Sequence, residues 1–257
     1  MVILIAESKT MQENEMPVSA REFSEHCPAG ETAADEVMHR VSLMSSGQIA
    51  DSIKISQAMA AKVSRMAYEF PNKSVGLRAI DAYTGVVFRA FGYSSLTPED
   101  QALARRAIRI ISSLYGWLRP DDFIKPYRFD FTTRLAPGDR SFSTWWRKDV
   151  TINLVRCLQE SGENTILNLL PADAAACIDW KLVKRFSKVW KVDFKELKDG
   201  GDWRTPNAGK LKTMRGLLLR EIITRRLFSP ASLLTLETDS LMPLGTPDYP
   251  DRIAFCV

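Results

Sequence analysis

An α/β fold is what this chain predicts, and three observations predict it. Residues 2–6 are apolar on both faces, as strands are in the interior of a sheet, and 165–170 read as a second buried strand. Apolar residues recur at helical spacing over 31–68, 97–114, 143–158 and 209–227. A length of 257 residues, 45% hydrophobic and 26% charged, suffices for one large core and reads as a single domain over 1–257.

The first strand ends at Glu7-Ser8-Lys9-Thr10. Polar residues just past the carboxyl end of a buried strand commonly face a ligand crevice in α/β sheets. Lys9 is therefore a candidate anion binder or, if desolvated, a base or nucleophile; as an exposed turn lysine it would carry no chemistry. Residues 11–29 are polar and irregular and read as a loop or flap. Core stripes follow in 31–68, with Ala33, Val37, Val41 and Met44, then Ile53, Ile55, Met59 and Val63. Pro71-Asn72-Lys73 breaks the pattern, and 75–79 reads as a short strand leading into Asp81-Ala82-Tyr83-Thr84-Gly85, a second candidate site element. Asp81 could orient Lys9, accept a hydrogen bond from substrate, or cap the helix expected over 86–91.

Thr97-Pro98-Glu99-Asp100 opens a helix with an N-cap hydroxyl, a proline at the first helical position and acids in the first turn. Leu103, Ala107, Ile111 and Leu114 carry that helix to Tyr115-Gly116, where glycine enters the left-handed region cheaply. Pro120 then discourages helix at Arg119. The resulting corner holds Tyr115, Arg119, Asp122, Tyr127 and Arg128 within a few residues. It reads either as a junction whose tyrosines and arginines cap carbonyls, or as a backbone-amide hairpin that holds an anion beside arginines.

Residues 129–135 alternate as a strand should, and Ala136-Pro137-Gly138-Asp139 is a turn. Residues 143–158 read as a helix with Trp145 and Trp146 toward the core. The strand 165–170 stops at Pro171, with Asn168 and Asp173 at or past its end, the kind of position Lys9 occupies. Further strand is expected over 183–194, a loop over 198–207, turns over 240–251 and a terminal strand over 252–257. The 209–227 helix buries Leu218, Leu219, Ile222 and Ile223, carries Lys210, Lys212, Arg215, Arg220, Arg225 and Arg226, and lets another backbone approach at Gly216.

The net charge is only +4, yet residues 181–226 hold 14 lysines and arginines against 5 acids, leaving the rest of the chain acidic. That asymmetry points to a polyanion or phosphate-bearing partner, or else to a solvated basic face. Four scattered cysteines without a Cys-x-x-Cys pair, and two histidines, indicate neither a zinc site nor a disulfide framework, and suit a reducing cytosol. No metal or cofactor is expected. The apolar opening is too short for a signal peptide, and no apolar run is long enough to cross a membrane, so a cytoplasmic protein without a membrane partner is expected.

The run Leu114-Tyr115-Gly116-x-Leu118-Arg119-Pro120-x-Asp122-x-Ile124-x-Pro126-Tyr127-Arg128 resembles the signature of the YaaA family, also called the UPF0246 or DUF328 peroxide-stress proteins. The opening through Glu7-Ser8-Lys9-Thr10 resembles that family's strand and Ser-Pro-Ala-Lys-Thr turn. Asp81-Ala82-Tyr83-Thr84-Gly85 resembles its Gly-Asp-Val-Tyr-x-Gly element, and Lys212-Thr213-Met214-Arg215-Gly216 its late Lys-Lys-Ala-Arg-Gly run. The resemblance implies a curved mixed sheet wrapped by helices, a helix-hairpin-helix-like element at about 97–128, a basic cleft that binds DNA, and a role in peroxide stress. It brings no established reaction. The chain departs from the family pattern at Glu7-Ser8, at Ser113, at Phe131-Thr132 and at Pro171-Ala172-Asp173, all around the expected cleft.

Two functions follow. In a binder of DNA or another phosphate-bearing ligand, Tyr83, Tyr115, Gly116, Arg119, Tyr127, Arg128, Asn168 and Arg215 would hold the ligand. In an enzyme acting on a nucleotide, nucleobase or related small molecule, Lys9, Asp81, Asp122, Asp173 and Lys212 would supply acids, bases or a nucleophile. Both require Lys9, Arg128 and Lys212 to meet in one basic hollow.

Overall fold

The computed structural model describes residues 1–198, 200–244 and 251–257. Its main sheet runs Met242–Pro243, Arg252–Cys256, Lys188–Leu197, Thr165–Asn168, Val2–Ala6, Ile108–Ser112 and Gly116–Leu118, with Trp203–Arg204 paired on Lys188–Leu197. The five inner strands are parallel, and the pairings of Met242–Pro243, Gly116–Leu118 and Trp203–Arg204 are antiparallel. Val2–Ala6 lies at the centre because nearly all of its residues are buried, and it meets equally apolar partners, Ile3 opposite Ile108 and Val2 opposite Ile166. The expected α/β fold is the one formed. A smaller antiparallel sheet joins Met16–Pro17, Val75–Arg78 and Phe123–Ile124.

The expected helices form, and their caps are those the residues offer. Thr97 accepts the Asp100 N–H at the head of Pro98–Ala107, and Asn207 accepts the Lys210 N–H at the head of Ala208–Thr224. Glu31–Ser42, Ser46–Ile53, Gln57–Glu69 and Phe142–Ser161 account for the other long stripes. Gly216 does admit a neighbour: a Cβ there would lie 2.4 Å from the Val87 carbonyl oxygen and 2.6 Å from the Ala90 Cβ, so the helix Val86–Phe91 packs directly against Ala208–Thr224.

Several expectations need correction. The helix opening at Pro98 stops at Ala107, and Ile108–Ser112 is a strand. The β-branched run Ile108-Arg109-Ile110-Ile111 suits a pleated surface beside Val2–Ala6 better than a helix. Gly116, at φ 69°, then turns the chain into Gly116–Leu118. Residues 97–128 thus form a helix, a β-hairpin and a short strand, and no second helix completes a helix-hairpin-helix. Residues 129–135 are not a strand either. Their alternation is real, with Phe129, Phe131, Thr133 and Leu135 buried, but the Asp130 carboxylate takes the Thr132 and Thr133 N–H groups in place of a ladder. The strand expected over 183–194 is Lys188–Leu197, preceded by the short helix Trp180–Val183. Residues 11–29 contain the helix Ala20–Glu25, opened by a capping box at Ser19, and the strand Met16–Pro17. Within the expected loops, residue 199 and residues 245–250 lie outside the described residues.

Candidate functional site

Leaving Val2–Ala6, the chain builds Ile108–Ser112 on one side and Thr165–Asn168 on the other. The strand order therefore changes direction at the first strand, and a crevice lies beyond the carboxyl ends of these three adjacent strands. Glu7 is the first residue beyond the ladder, its N–H still bonded to the Ile111 carbonyl at 2.9 Å. The next residues are laced to 82–85: Thr84 N–H reaches the Thr10 carbonyl at 2.9 Å, and Gln12 N–H the Ala82 carbonyl at 2.8 Å. Gly85 lies flush against Ser8, since a Cβ there would sit 2.0 Å from its Oγ.

The crevice holds a cavity of about 370 Å³. Glu7, Lys9, Arg89, Asp130, Asp173 and Lys212 supply its charge, and Val86, Val87, Phe88, Phe131 and Pro171 an apolar wall. Lys9 Nζ pairs with Asp130 at 3.1 Å and stays 58% exposed. Burial tends to raise the Asp130 carboxyl, but hydrogen bonds from Thr132 and Lys9, with the Lys9 charge, bring it down to about 2. Lys212 is exposed, and its side chain makes no ion pair or hydrogen bond among the described residues.

Glu7 is the unusual group. Its Oε2 accepts the Ser113 N–H at 2.7 Å and the Tyr127 hydroxyl, while Oε1 has no hydrogen-bond partner among the described residues. The Tyr127 oxygen lies 2.7 Å from both the Tyr83 and the Ser112 hydroxyl oxygens. Burial drives the Glu7 carboxyl up to about 7, against the hydrogen bonds from Ser113 and Tyr127 that favour its anion. A carboxyl with that value, on a cavity wall and with one oxygen unclaimed, can give or take a proton at neutral pH.

Of the residues singled out in the sequence, Lys9, Asp173 and Lys212 share this cavity. Arg215 is half-buried near Asp173, whose charge offsets the burial that lowers the guanidinium pKa. Arg128 donates to the Lys9 carbonyl from an adjoining hollow. Tyr83 and Tyr127 are buried behind Glu7 and support it. The others lie elsewhere. Arg119 and Asp122 form an ion pair at 2.8 Å beside a separate cavity of about 200 Å³, and burial raises the Asp122 carboxyl to about 6. Tyr115 is fully buried, its hydroxyl accepting the Lys125 N–H at 3.0 Å, and Gly116 packs on Trp146; both are structural. Asn168 folds back on the Leu170 N–H at 3.0 Å. Asp81 is exposed beside Arg78, Asp121 and Arg105. Glu7, Arg89 and Asp130 are the site residues that sequence reasoning missed. The available signal was position: Glu7 is the first polar side chain past a buried strand.

Among the described residues no three His, Cys, Asp or Glu side chains are grouped to hold a metal ion, and no helix is long and apolar enough to cross a membrane.

An open, largely parallel α/β sheet with a charged cavity at its switch point is the class these features define. Within that class the chain belongs to the family described as peroxide stress protein YaaA, whose model matches residues 1–242. It is similar to a UPF0246 protein of Parabacteroides distasonis, 29% identical over 235 residues, covering 91% of this chain and 90% of that one. A UPF0246 protein of Bacteroides fragilis is 28% identical over 240 residues, with the same shares covered. The family description supplies the link to peroxide stress.

Proposed function

We propose that the switch-point cavity binds a small anionic metabolite of the nucleotide or nucleobase class and that Glu7 transfers a proton on it. The observation that carries this reading is the Glu7 carboxyl, anchored through one oxygen and open through the other, with its pKa near 7. A volume of about 370 Å³ is the size of a small-molecule pocket. Its apolar wall suits a flat ring, and Lys9 and Lys212, both exposed, offer charge to an anion rather than the desolvated amine of a nucleophile.

Binding of DNA has less support. Lys210 pairs with Glu196, Arg225 with Glu221 and Arg226 with Asp100, and Arg220 caps the Phe91 and Gly92 carbonyls. Of the expected basic stripe, only the Lys212 and Arg215 side chains are left without an ion pair or hydrogen bond among the described residues. Incubation with a panel of nucleotides and nucleobases, followed by mass spectrometry, tests the proposal. The Glu7→Gln variant should bind the responsive compound within a few-fold yet convert it at least about a hundredfold more slowly. Normal turnover by that variant would remove Glu7 from the chemistry.

A further inference from the structure

We infer that the ligand is bipartite, with a diphosphate-like tail seated in a second hollow beside the Glu7 cavity. This deepens the reading above and rests on it for the identity of the other half of the ligand. The second hollow, about 430 Å³, shares Lys9 and Asp130 with the first, so the two meet across a single ion pair.

The two differ in charge. Around the first, the carboxyls of Glu7, Asp130 and Asp173 match the cations Lys9, Arg89 and Lys212. Around the second, Lys9, Lys54, Arg128 and Arg134 face Asp130 alone. That carboxylate is already engaged by Lys9, Thr132 and Thr133. Arg128 uses Nη1 on the Lys9 carbonyl, and Lys54 and Arg134 make no side-chain hydrogen bond or ion pair among the described residues. A surplus of unpaired cations over a concave surface attracts a multiply charged anion, and guanidinium groups match phosphate oxygens in geometry. The first cavity, where three carboxyls stand among the cations, attracts such an anion less strongly than the second. The phosphates therefore belong beside Lys54 and Arg134, and the reacting ring beside Glu7.

Inorganic pyrophosphate is the probe. Its binding to the full chain is measured by calorimetry for the wild type, for a Lys54→Asn/Arg134→Gln double variant and for Glu7→Gln. Asparagine is chosen because Lys54 has a φ of 54°, a region that Asn tolerates. The double variant should bind pyrophosphate about tenfold more weakly or worse and show a shallower salt dependence, with circular dichroism unchanged, while Glu7→Gln should stay within about twofold of the wild type. No pyrophosphate binding by the wild type, or equal binding by the double variant, overturns the inference. So does a short DNA duplex that outcompetes a nucleoside diphosphate at this hollow, since the phosphates would then come from nucleic acid. Pyrophosphate binding that needs Lys54 and Arg134, alongside normal turnover by Glu7→Gln, would instead uphold the subsite and reject the role given to Glu7.

Discussion

Glu7 sets the pH behaviour of the molecule at the residue scale. Its carboxyl moves from an ordinary 4.5 to about 7 on folding. Between those values the native state holds a proton that the unfolded chain has released, so stability falls as pH rises through the window and levels off above it. With one oxygen open to the cavity, the loss should reach roughly 2–3 kcal/mol. Glutamine accepts the same two hydrogen bonds without titrating, so Glu7→Gln should flatten the profile, as urea denaturation at about pH 5 and pH 8 would reveal. Parallel profiles for both proteins would contradict the shift. Lys9, Asp173 and Lys212 were legible because a lysine or aspartate past a strand end, or a lysine on a basic helix, reads as a site residue from local pattern alone. Glu7 was not. Its burial and its partners Ser113 and Tyr127 come from 106 and 120 residues away, and no local spacing announces them.

At the scale of elements, the packing of Val86–Phe91 on Ala208–Thr224 holds the apolar wall in place. A methyl group at Gly216 would enter the space of the Val87 carbonyl and the Ala90 side chain. Gly216→Ala should therefore cost about 1–3 kcal/mol and displace Val86, Val87 and Phe88, weakening ligand binding as well as lowering the melting temperature. A melting temperature at or above that of the wild type would show that the two helices can separate freely. This close approach was legible from a single glycine in an otherwise regular helix. The strand Ile108–Ser112 was not, because Leu103, Ala107, Ile111 and Leu114 fit a helical period while the intervening β-branched residues fit a strand. Tertiary pairing with Val2–Ala6 decides between them. The same decision turns the anticipated helix-hairpin-helix into a β-hairpin, and so moves Arg119 and Asp122 away from Lys9.

Over the whole molecule, the chain's two kinds of charge are sorted by folding. Part of the basic excess of residues 181–226 is paired locally: Lys184, Arg204, Lys210, Arg225 and Arg226 meet Asp251, Glu196, Glu221 and Asp100, so a count along the sequence overstates the free positive surface. Among the described residues of that segment only Lys212 lines a hollow shared with Lys9, while Arg128 lines the adjoining one, so the single basic hollow expected from the sequence is divided in two. The separation into a balanced hollow and a cationic one was invisible in the sequence, because it depends on which acids find partners. The raised Glu7 pKa depends on the burial imposed where the first strand, the Ser113 turn and Tyr127 meet, which outweighs the hydrogen bonds they donate. A pH titration of the Glu7 carboxyl carbon by NMR, assigned against Glu7→Gln, is the most direct test: a midpoint of about 7 is predicted, and a midpoint near 4.5 would contradict the buried acid–base role.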